Sequence, residues 1–483
     1  QWQHGISFTN WVTTDLLEHP SEPLETEDMV SVNPNHIQKN KEFKAGMFAS
    51  YHVYPYYPDF LNFDKTYQQY KDQQGRKNHY AGYLQDLIRA HDMPVLIAEF
   101  GVPSSRGQTH KNDSGMNQGF LNEQQQGEMN SFMFSSMVDE GAAGGLVFAW
   151  QDEWFKRTWN TMDYDNPNRR PFWANGQTNE QKFGLLSFEP GKKSSSMFVD
   201  GRKGDWDKNG IKPLGDSQTG AIKRVFASSD ESSVYFRLDL ENALNWDEQA
   251  GYLFLDTISG QGQHRAQLDD GQEIDFKSGI DFMIELNGPD KSRILVDSYY
   301  DLFYYQYGKT LKMIPEVNYA DEKNNGIFHP IRLALNKEMI LPEGGRKVPF
   351  QSYETGKLKF GTGNPDDEGF DSLTDISISD DKKTVEIRIP WQLLNIKDPS
   401  NKEIFADLYK TGLTGSKSIK GIRFSAAWTS EGKTVSVLPA NADSMFFYEW
   451  MGWEEPQYHE RLKESYNIMK ETFKNAGDEE NNR

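Results

Sequence analysis

A chain of 483 residues with 36% hydrophobic and 13% aromatic residues has a globular composition, enough for roughly two to four domains that each bury a core. Its net charge of −20 leaves no basic stripe to neutralise phosphates, so nucleic acid is excluded as a partner and an anionic membrane surface is disfavoured. The absence of cysteine excludes disulfides, thiolate metal sites and a cysteine nucleophile, and is compatible with secretion; no apolar run approaches the roughly 20 residues that span a bilayer.

The chain starts Gln1-Trp2-Gln3-His4-Gly5-Ile6, without Met and without a signal-peptide pattern, and reads as a fragment of something longer. Four strand candidates lie before about residue 190. The first is Ile6 to Trp11, followed by a polar loop, Thr13 to Asn40, too rich in Pro, Glu and Asn for a packed helix. The second is Gly46 to Tyr54, which runs into Pro55-Tyr56-Tyr57-Pro58. Tyr83, Leu84, Leu87 and Ile88 then recur at helical spacing within Tyr80 to His91 and lead into the third strand. Asn122 to Glu140 predicts a helix with Met129, Phe132, Met133 and Val138 inward and Gly141 as its C-cap, before the fourth strand, Gly145 to Trp150. Strand and helix in alternation predict parallel β/α units.

From about 190 to 215 the composition shifts to Gly, Lys, Ser and Asp, as in a linker. Period-two strands follow: Val234 to Leu240, Gly251 to Asp256, Asp281 to Leu286, Thr384 to Ile389 and Gly421 to Trp428. Alternation without intervening helices predicts an antiparallel β-sandwich. Pro456 to Asn475 carries Leu462, Tyr466, Met469 and Phe473 on one helical face and predicts a terminal helix packed on a domain. The expected fold is therefore α/β plus all-β: residues 1–190 as a partial TIM-type (β/α) barrel of about four units, 191–450 as a β-sandwich, and 451–483 as a C-terminal helix and tail.

The chemistry concentrates in Met93-Pro94-Val95-Leu96-Ile97-Ala98-Glu99-Phe100-Gly101-Val102-Pro103. A Val/Leu/Ile run bounded by turn residues is a strand buried on both faces, and a polar residue at its C-terminal end lies at the active-site mouth of a β/α barrel. Glu99 is the leading catalytic candidate; the alternative is a carboxylate fixed by a neighbouring Arg or a helix N-terminus. His52 and Tyr54 share one face of the second strand, able to hold a nucleophile or leaving group by hydrogen bonds or simply to form a half-buried cluster. Trp150, followed by Gln151-Asp152-Glu153-Trp154, brings an aromatic platform and two carboxylates, or plain core. No Gly-rich phosphate loop, His-x-x-x-His pair or Gly-x-Ser-x-Gly elbow is present, so nucleotide, zinc and serine-hydrolase chemistry lack support.

Together these residues resemble the C-terminal half of a clan A glycoside hydrolase barrel, similar to the cellulase and mannanase families. His52-Val53-Tyr54-Pro55 resembles the end of that clan's sixth strand, Glu99-Phe100-Gly101 that of the seventh, and Trp150 the tryptophan of the eighth, over residues 1–160. The resemblance implies retaining hydrolysis of a polysaccharide, with Glu99 as nucleophile and His52, Tyr54, Asn10, Trp11, Trp150 and Trp154 against the substrate. It also implies a second carboxylic acid about 5–5.5 Å away. The family places that acid in an Asn-Glu pair ending the fourth strand, and none precedes Ile6-Ser7-Phe8-Thr9-Asn10-Trp11. The acid is expected upstream, or replaced by Glu153 or Asp152, or catalysis is lost.

The later strands resemble a family nine carbohydrate-binding module through Ala227-Ser228-Ser229-Asp230-Glu231 before Val234-Tyr235-Phe236, the strand Leu253 to Asp256, and Ile389-Pro390-Trp391-Gln392-Leu393-Leu394, interrupted by an insert at about Lys291 to Asp371. This implies a carbohydrate ligand stacked on candidates such as Trp246, Tyr299, Tyr300, Tyr304, Tyr305 or Trp428. It also implies structural calcium, for which Asp269-Asp270 and Asp366-Asp367-Glu368 are acidic-loop candidates; a solvated loop is the alternative, and no other cofactor is expected. An extracellular or cell-surface bacterial location follows from the same resemblance, and oligomeric state is left open. The competing function is a non-catalytic glycan-binding or scaffold protein of the cell envelope or of a polysaccharide synthesis system.

Overall fold

The computed structural model describes residues 3–23, 30–268, 271–317, 323–441 and 444–481. Strands β1 (Thr9–Trp11), β2 (Ala49–His52), β3 (Val95–Phe100) and β4 (Gly144–Val147) form a four-stranded parallel sheet in the order β1-β2-β3-β4. Trp11 pairs with His52 and His52 with Glu99, so these three residues reach one edge of the sheet together. The pairing slips by one residue between Tyr51 and His52.

Two helices cover one face of this sheet. Helix α1 (His79–Arg89) starts where the Asn78 side chain accepts the Ala81 N–H, and it buries Tyr80, Tyr83, Leu84 and Leu87. Helix α2 (Glu123–Glu140) opens with a reciprocal Asn122–Gln125 capping box and stops at Gly141, whose φ of 83° suits a residue without a Cβ. Val95, Ile97 and Phe100 of β3 are fully buried beneath these helices with Met133 and Met137. Trp206, in a short helical turn Gly204–Lys208 within the stretch read as a linker, is buried with Val199, Phe226 and Tyr235. The junction is thus packed there rather than loose.

Beyond it the chain is antiparallel. A five-stranded sheet is centred on Thr384–Pro390, Ser233–Leu240 and Ile222–Ser229. A seven-stranded sheet is centred on Phe282–Leu286, Gln249–Asp256 and Ile422–Ser430. Alternate residues of both, including Val234, Phe236, Leu253, Leu255, Ile387 and Phe424, pool in one core. Tyr252, Phe254 and Met283, on the opposite parity of the larger sheet, are buried in a second layer with Phe276. Strand Arg293–Asp297 belongs to the larger sheet, so the stretch expected as an insert supplies part of the core.

The chain end returns to the parallel sheet. Tyr458–Leu462 is a strand pairing antiparallel with Leu186–Pro190, which leaves Leu462 44% exposed instead of inward on a helix. Helix α3 (Glu464–Asn481) follows and lies along α2. Gly127 permits the contact, since a Cβ there would stand 2.8 Å from the Ser465 Cα. Ser465 donates to Gln126 Oε1 at 2.8 Å, and the Phe134 and Phe473 rings meet edge-on at 4.7 Å. At the helix start the Lys463 ammonium, 1% exposed, donates to Asp152 Oδ1 at 2.7 Å and to Ser104 Oγ at 3.0 Å. Among the described residues no helix is long and apolar enough to cross a membrane.

Removing one partner of a buried ion pair leaves the other charge unsolvated, so Lys463→Met is expected to lower unfolding free energy by about 3–5 kcal/mol, measurable from the urea midpoint. A second prediction concerns Asp281, whose Oδ2 accepts the Thr257 and Ile258 N–H groups and the Thr257 hydroxyl. Burial, then the Asp256 and Asp297 charges, push its carboxyl from 3.8 to about 8. The native state therefore keeps a proton that the unfolded chain releases above its ordinary carboxylate range, and stability falls as pH rises through that window. Asp281→Asn, which mimics the protonated form, should flatten that decline in thermal melts recorded from pH 4 to 8.

Candidate functional site

At the C-terminal edge of the parallel sheet lies an open cleft of about 670 Å³ lined by Trp11, Tyr54, Tyr57, Glu99, Phe148 and Glu180, among others. The β2–β3 register builds its centre. Tyr54 donates its hydroxyl to Glu99 Oε2 at 2.9 Å, and His52 Nδ1 lies 3.2 Å from the same oxygen. The period-two spacing of His52 and Tyr54 thus brings both to one carboxylate. The Tyr54 phenol is raised above its ordinary range by burial first and by the Glu99 charge next, which keeps it a donor. Gly101 has a φ of 157°, and a Cβ there would come within 2.5 Å of the Phe148 carbonyl oxygen. The glycine after Glu99-Phe100 lets β3 leave the sheet close against the exit of β4.

Trp11 is in the cleft, its ring 6.2 Å from both Tyr54 and Tyr57. Asn10, on the opposite parity of β1, pairs with Tyr51 in the strand register and does not line the cleft. Trp150, expected to floor the cleft, is 56% exposed outside it with its ring against Tyr466 of α3; Phe148 faces the cleft in its place. β4 ends at Val147, and the Phe148–Ala149 peptide is cis. Trp154 is buried against Tyr458, away from Glu99. Asp152 is committed to Lys463 and, at 3.4 Å, to Lys182, while Glu153 pairs with Lys156 at 3.0 Å.

A second carboxylate does enter the cleft, from a position that strand patterns did not mark. Glu180 sits on a single turn, Asn179–Lys182. Gln118 Nε2 donates to its Oε1 at 2.5 Å, and Lys156 Nζ lies 3.8 Å from Oε2. The turn is fixed by Asn179, whose Oδ1 accepts the Thr109 hydroxyl at 2.6 Å and the Thr158 hydroxyl at 2.8 Å. Burial raises the Glu180 carboxyl above its ordinary range; Lys156 opposes this, and Glu153 and Glu99 add to it. The stretch Gln177-Thr178-Asn179-Glu180-Gln181 is polar throughout, yet Gln177, Thr178, Asn179 and Gln181 are no more than 1% exposed. Nothing in the local pattern announces that burial.

The far wall of the cleft comes from the antiparallel region through Leu335, Asn336, Lys337 and Met339. Asn160 Nδ2 donates to both the Gln108 and the Ala334 carbonyl oxygens at 2.8 Å, and the Gln108 N–H donates to the Tyr353 hydroxyl at 2.7 Å. The hairpin of Arg332–Asn336 and Gln351–Glu354 is thereby fastened to the loop that follows β3.

The aromatics expected to stack sugars on the antiparallel region pack inward. Tyr299, Tyr300 and Trp428 are buried, Trp246 lies against Trp428 and Phe360, and Tyr304 and Tyr305 meet Phe303 and Tyr409. Among the described residues no group of three or more His, Asp or Glu is placed to hold a metal ion. Asp367 is bound by Arg202 at 2.7 Å and Thr362 at 2.7 Å, and Asp269-Asp270 lie outside the described residues.

No protein-family model and no curated protein matches this chain. Among solved structures, an endo-beta-1,4-mannanase from Thermotoga petrophila aligns with 51% of this chain at 12% identity and a TM-score of 0.14. The chain spans 45% of that enzyme's length. A superposition that poor carries no argument about fold or activity, which rest on the residues themselves.

Asn160→Leu would strip the donor from two buried carbonyls at the wall of the cleft. A loss of about 1–3 kcal/mol is expected, with limited proteolysis cutting first in the loop between Asn336 and Gln351, and both are checked by urea titration and mass mapping of the fragments.

Proposed function

We propose that this chain is the glycoside-hydrolase-like part of a protein that acts on a polysaccharide by a retaining mechanism, with Glu99 as nucleophile. In this reading the parallel sheet is part of a β/α barrel and the antiparallel sheets are a β-sandwich of the carbohydrate-module kind. The observation that carries the proposal is the seating of Glu99. Among the described residues its contacts with Tyr54 and His52 both fall on Oε2, which leaves Oε1 to approach an anomeric carbon. Trp11, Tyr57 and Phe148 give the cleft apolar faces for sugar rings, and its volume lies within the roughly 300–1,000 Å³ of small-ligand sites.

The chemistry follows from the arrangement. Attack by Oε1 on the anomeric carbon forms a glycosyl ester as the bond to the glycosidic oxygen breaks and its electron pair leaves with that oxygen, and this neutralises the carboxylate. Tyr54, held protonated, fixes the rotamer and keeps Oε2 hydrogen-bonded as the charge leaves. An extracellular or cell-surface site of action belongs to the same reading. The inward packing of the expected stacking aromatics weighs against the competing reading, a binding module with no catalysis.

The test is hydrolysis of aryl glycosides and of β-glucan, mannan, xylan and galactan by the full chain and by Glu99→Gln. The wild type should turn over at least one substrate, the variant should be slower by several orders of magnitude, and a fluorosugar should add its glycosyl mass to the Glu99 peptide of the wild type alone. Equal rates in the two proteins would remove Glu99 from the reaction, and no turnover by either would favour glycan binding.

A further inference from the structure

Retaining hydrolysis needs a second carboxyl that gives a proton to the leaving oxygen and later takes one from water. Resting on the hydrolase reading above, we infer that Glu180 is this acid and base, working across the cleft from Glu99. The two carboxylates line one open cleft from different parts of the chain: Glu99 ends β3, and Glu180 sits on the turn after β4. Tyr54 lies within the electrostatic reach of both, in hydrogen-bond contact with Glu99 and raised further by the charge of Glu180.

The rival carboxyls are placed otherwise. Asp152 is 1% exposed and held by Lys463 and Lys182. Glu153 is bound to Lys156 at 3.0 Å. Asp59 lines the same cleft, with burial pushing its carboxyl up to about 6. Glu180 is the one of the four that combines access to the cleft with coupling to Glu99.

Its environment suits a group that must carry a proton in the resting enzyme and lose it in the first step. Burial and the neighbouring carboxylates favour the protonated form, and Lys156 with Gln118 steadies the carboxylate once it forms. In the first step the Glu180 proton passes to the glycosidic oxygen as the bond from that oxygen to the anomeric carbon breaks, its electron pair staying on oxygen, while a Glu99 oxygen forms the new bond to carbon. In the second, Glu180 carboxylate takes a proton from water, whose oxygen bonds to the anomeric carbon and displaces the Glu99 carboxylate. Both carboxyls return to their starting states.

The deciding comparison is Glu180→Gln in the full chain, with circular dichroism and thermal melting to show that it folds as the wild type does. A proton donor is needed for poor leaving groups and not for good ones. Turnover of a methyl glycoside or polymer should therefore fall about 10²–10⁴-fold, while release of dinitrophenolate in the first step should be nearly unchanged. Azide should restore turnover and yield a glycosyl azide of retained configuration. The alkaline limb of the wild-type kcat/KM profile, where the acid loses its proton, should be absent from the variant. Equal slowing of good and poor leaving groups without azide rescue, or an alkaline limb that persists, would overturn the assignment and leave Glu99 as nucleophile intact. A wild-type chain with no turnover overturns the hydrolase reading and this assignment with it.

Discussion

The ammonium of Lys463 is the knot on which the cleft depends. It donates to Asp152 just after β4, to Ser104 just after β3, and to the Lys182 carbonyl at the end of the turn that carries Glu180. Asp152 Oδ1 also accepts the Gly184 N–H at 3.1 Å, and the Ser104 N–H donates to the Lys182 carbonyl at 3.1 Å. Three loops from one end of the sheet are thus pinned by a charge delivered from the far end of the chain. A buried pair of this kind holds only when the remaining hydrogen-bonding capacity of both partners is met, and the surrounding backbone groups meet it. Helix α3 then lies against α2, and at Gly127 the contact leaves no room for a Cβ.

A second buried cation joins the two regions. Arg106, in the loop after β3, pairs with Asp375 at 3.1 Å and donates to the Lys357 carbonyl at 2.7 Å and to the Thr355 carbonyl. Together with Asn160 and Tyr353 it holds the antiparallel region over the cleft, so residues 335–339 belong to the site as its wall. This differs from a module on a flexible linker, which would contribute by raising local concentration. Here any change in the orientation of the second region would change the shape of the cleft itself.

The sequence revealed those features that depend on local periodicity. The apolar run of β3 and the spacing of Tyr83, Leu84 and Leu87 place a strand and a helix correctly, and the parity of His52 and Tyr54 puts both on Glu99. Gly141 ends its helix as expected. What was not legible depends on where a loop turns and what lands on it. Trp150 misses the cleft because its strand stops at Val147, after which the chain turns and Phe148 takes the cleft. Glu180 lies in a polar run whose burial is created by tertiary hydrogen bonds from Thr109, Gln118 and Thr158, residues distant from it in sequence. Of the aromatics expected to stack sugars, Trp428 points into the core shared by the two sheets, while Tyr299, Tyr300, Tyr304 and Tyr305 lie on helical turns after Arg293–Asp297, where strand alternation says nothing of which way a side chain faces.

The contrast between Glu99 and Glu180 is where fold and chemistry meet. Glu99 is about 30% exposed at a strand end, with a phenol and an imidazole on one oxygen. Glu180, its side chain 26% exposed, has a single amide and a more distant ammonium. Two like groups in one cleft repel when both are ionised, so the proton is retained by the one whose charge is less well compensated. On these contacts that is Glu180. The difference between the two carboxylates needs no special residue type: it follows from a strand end that presents one to a phenol and an imidazole, and a turn that offers the other an amide and a more distant ammonium.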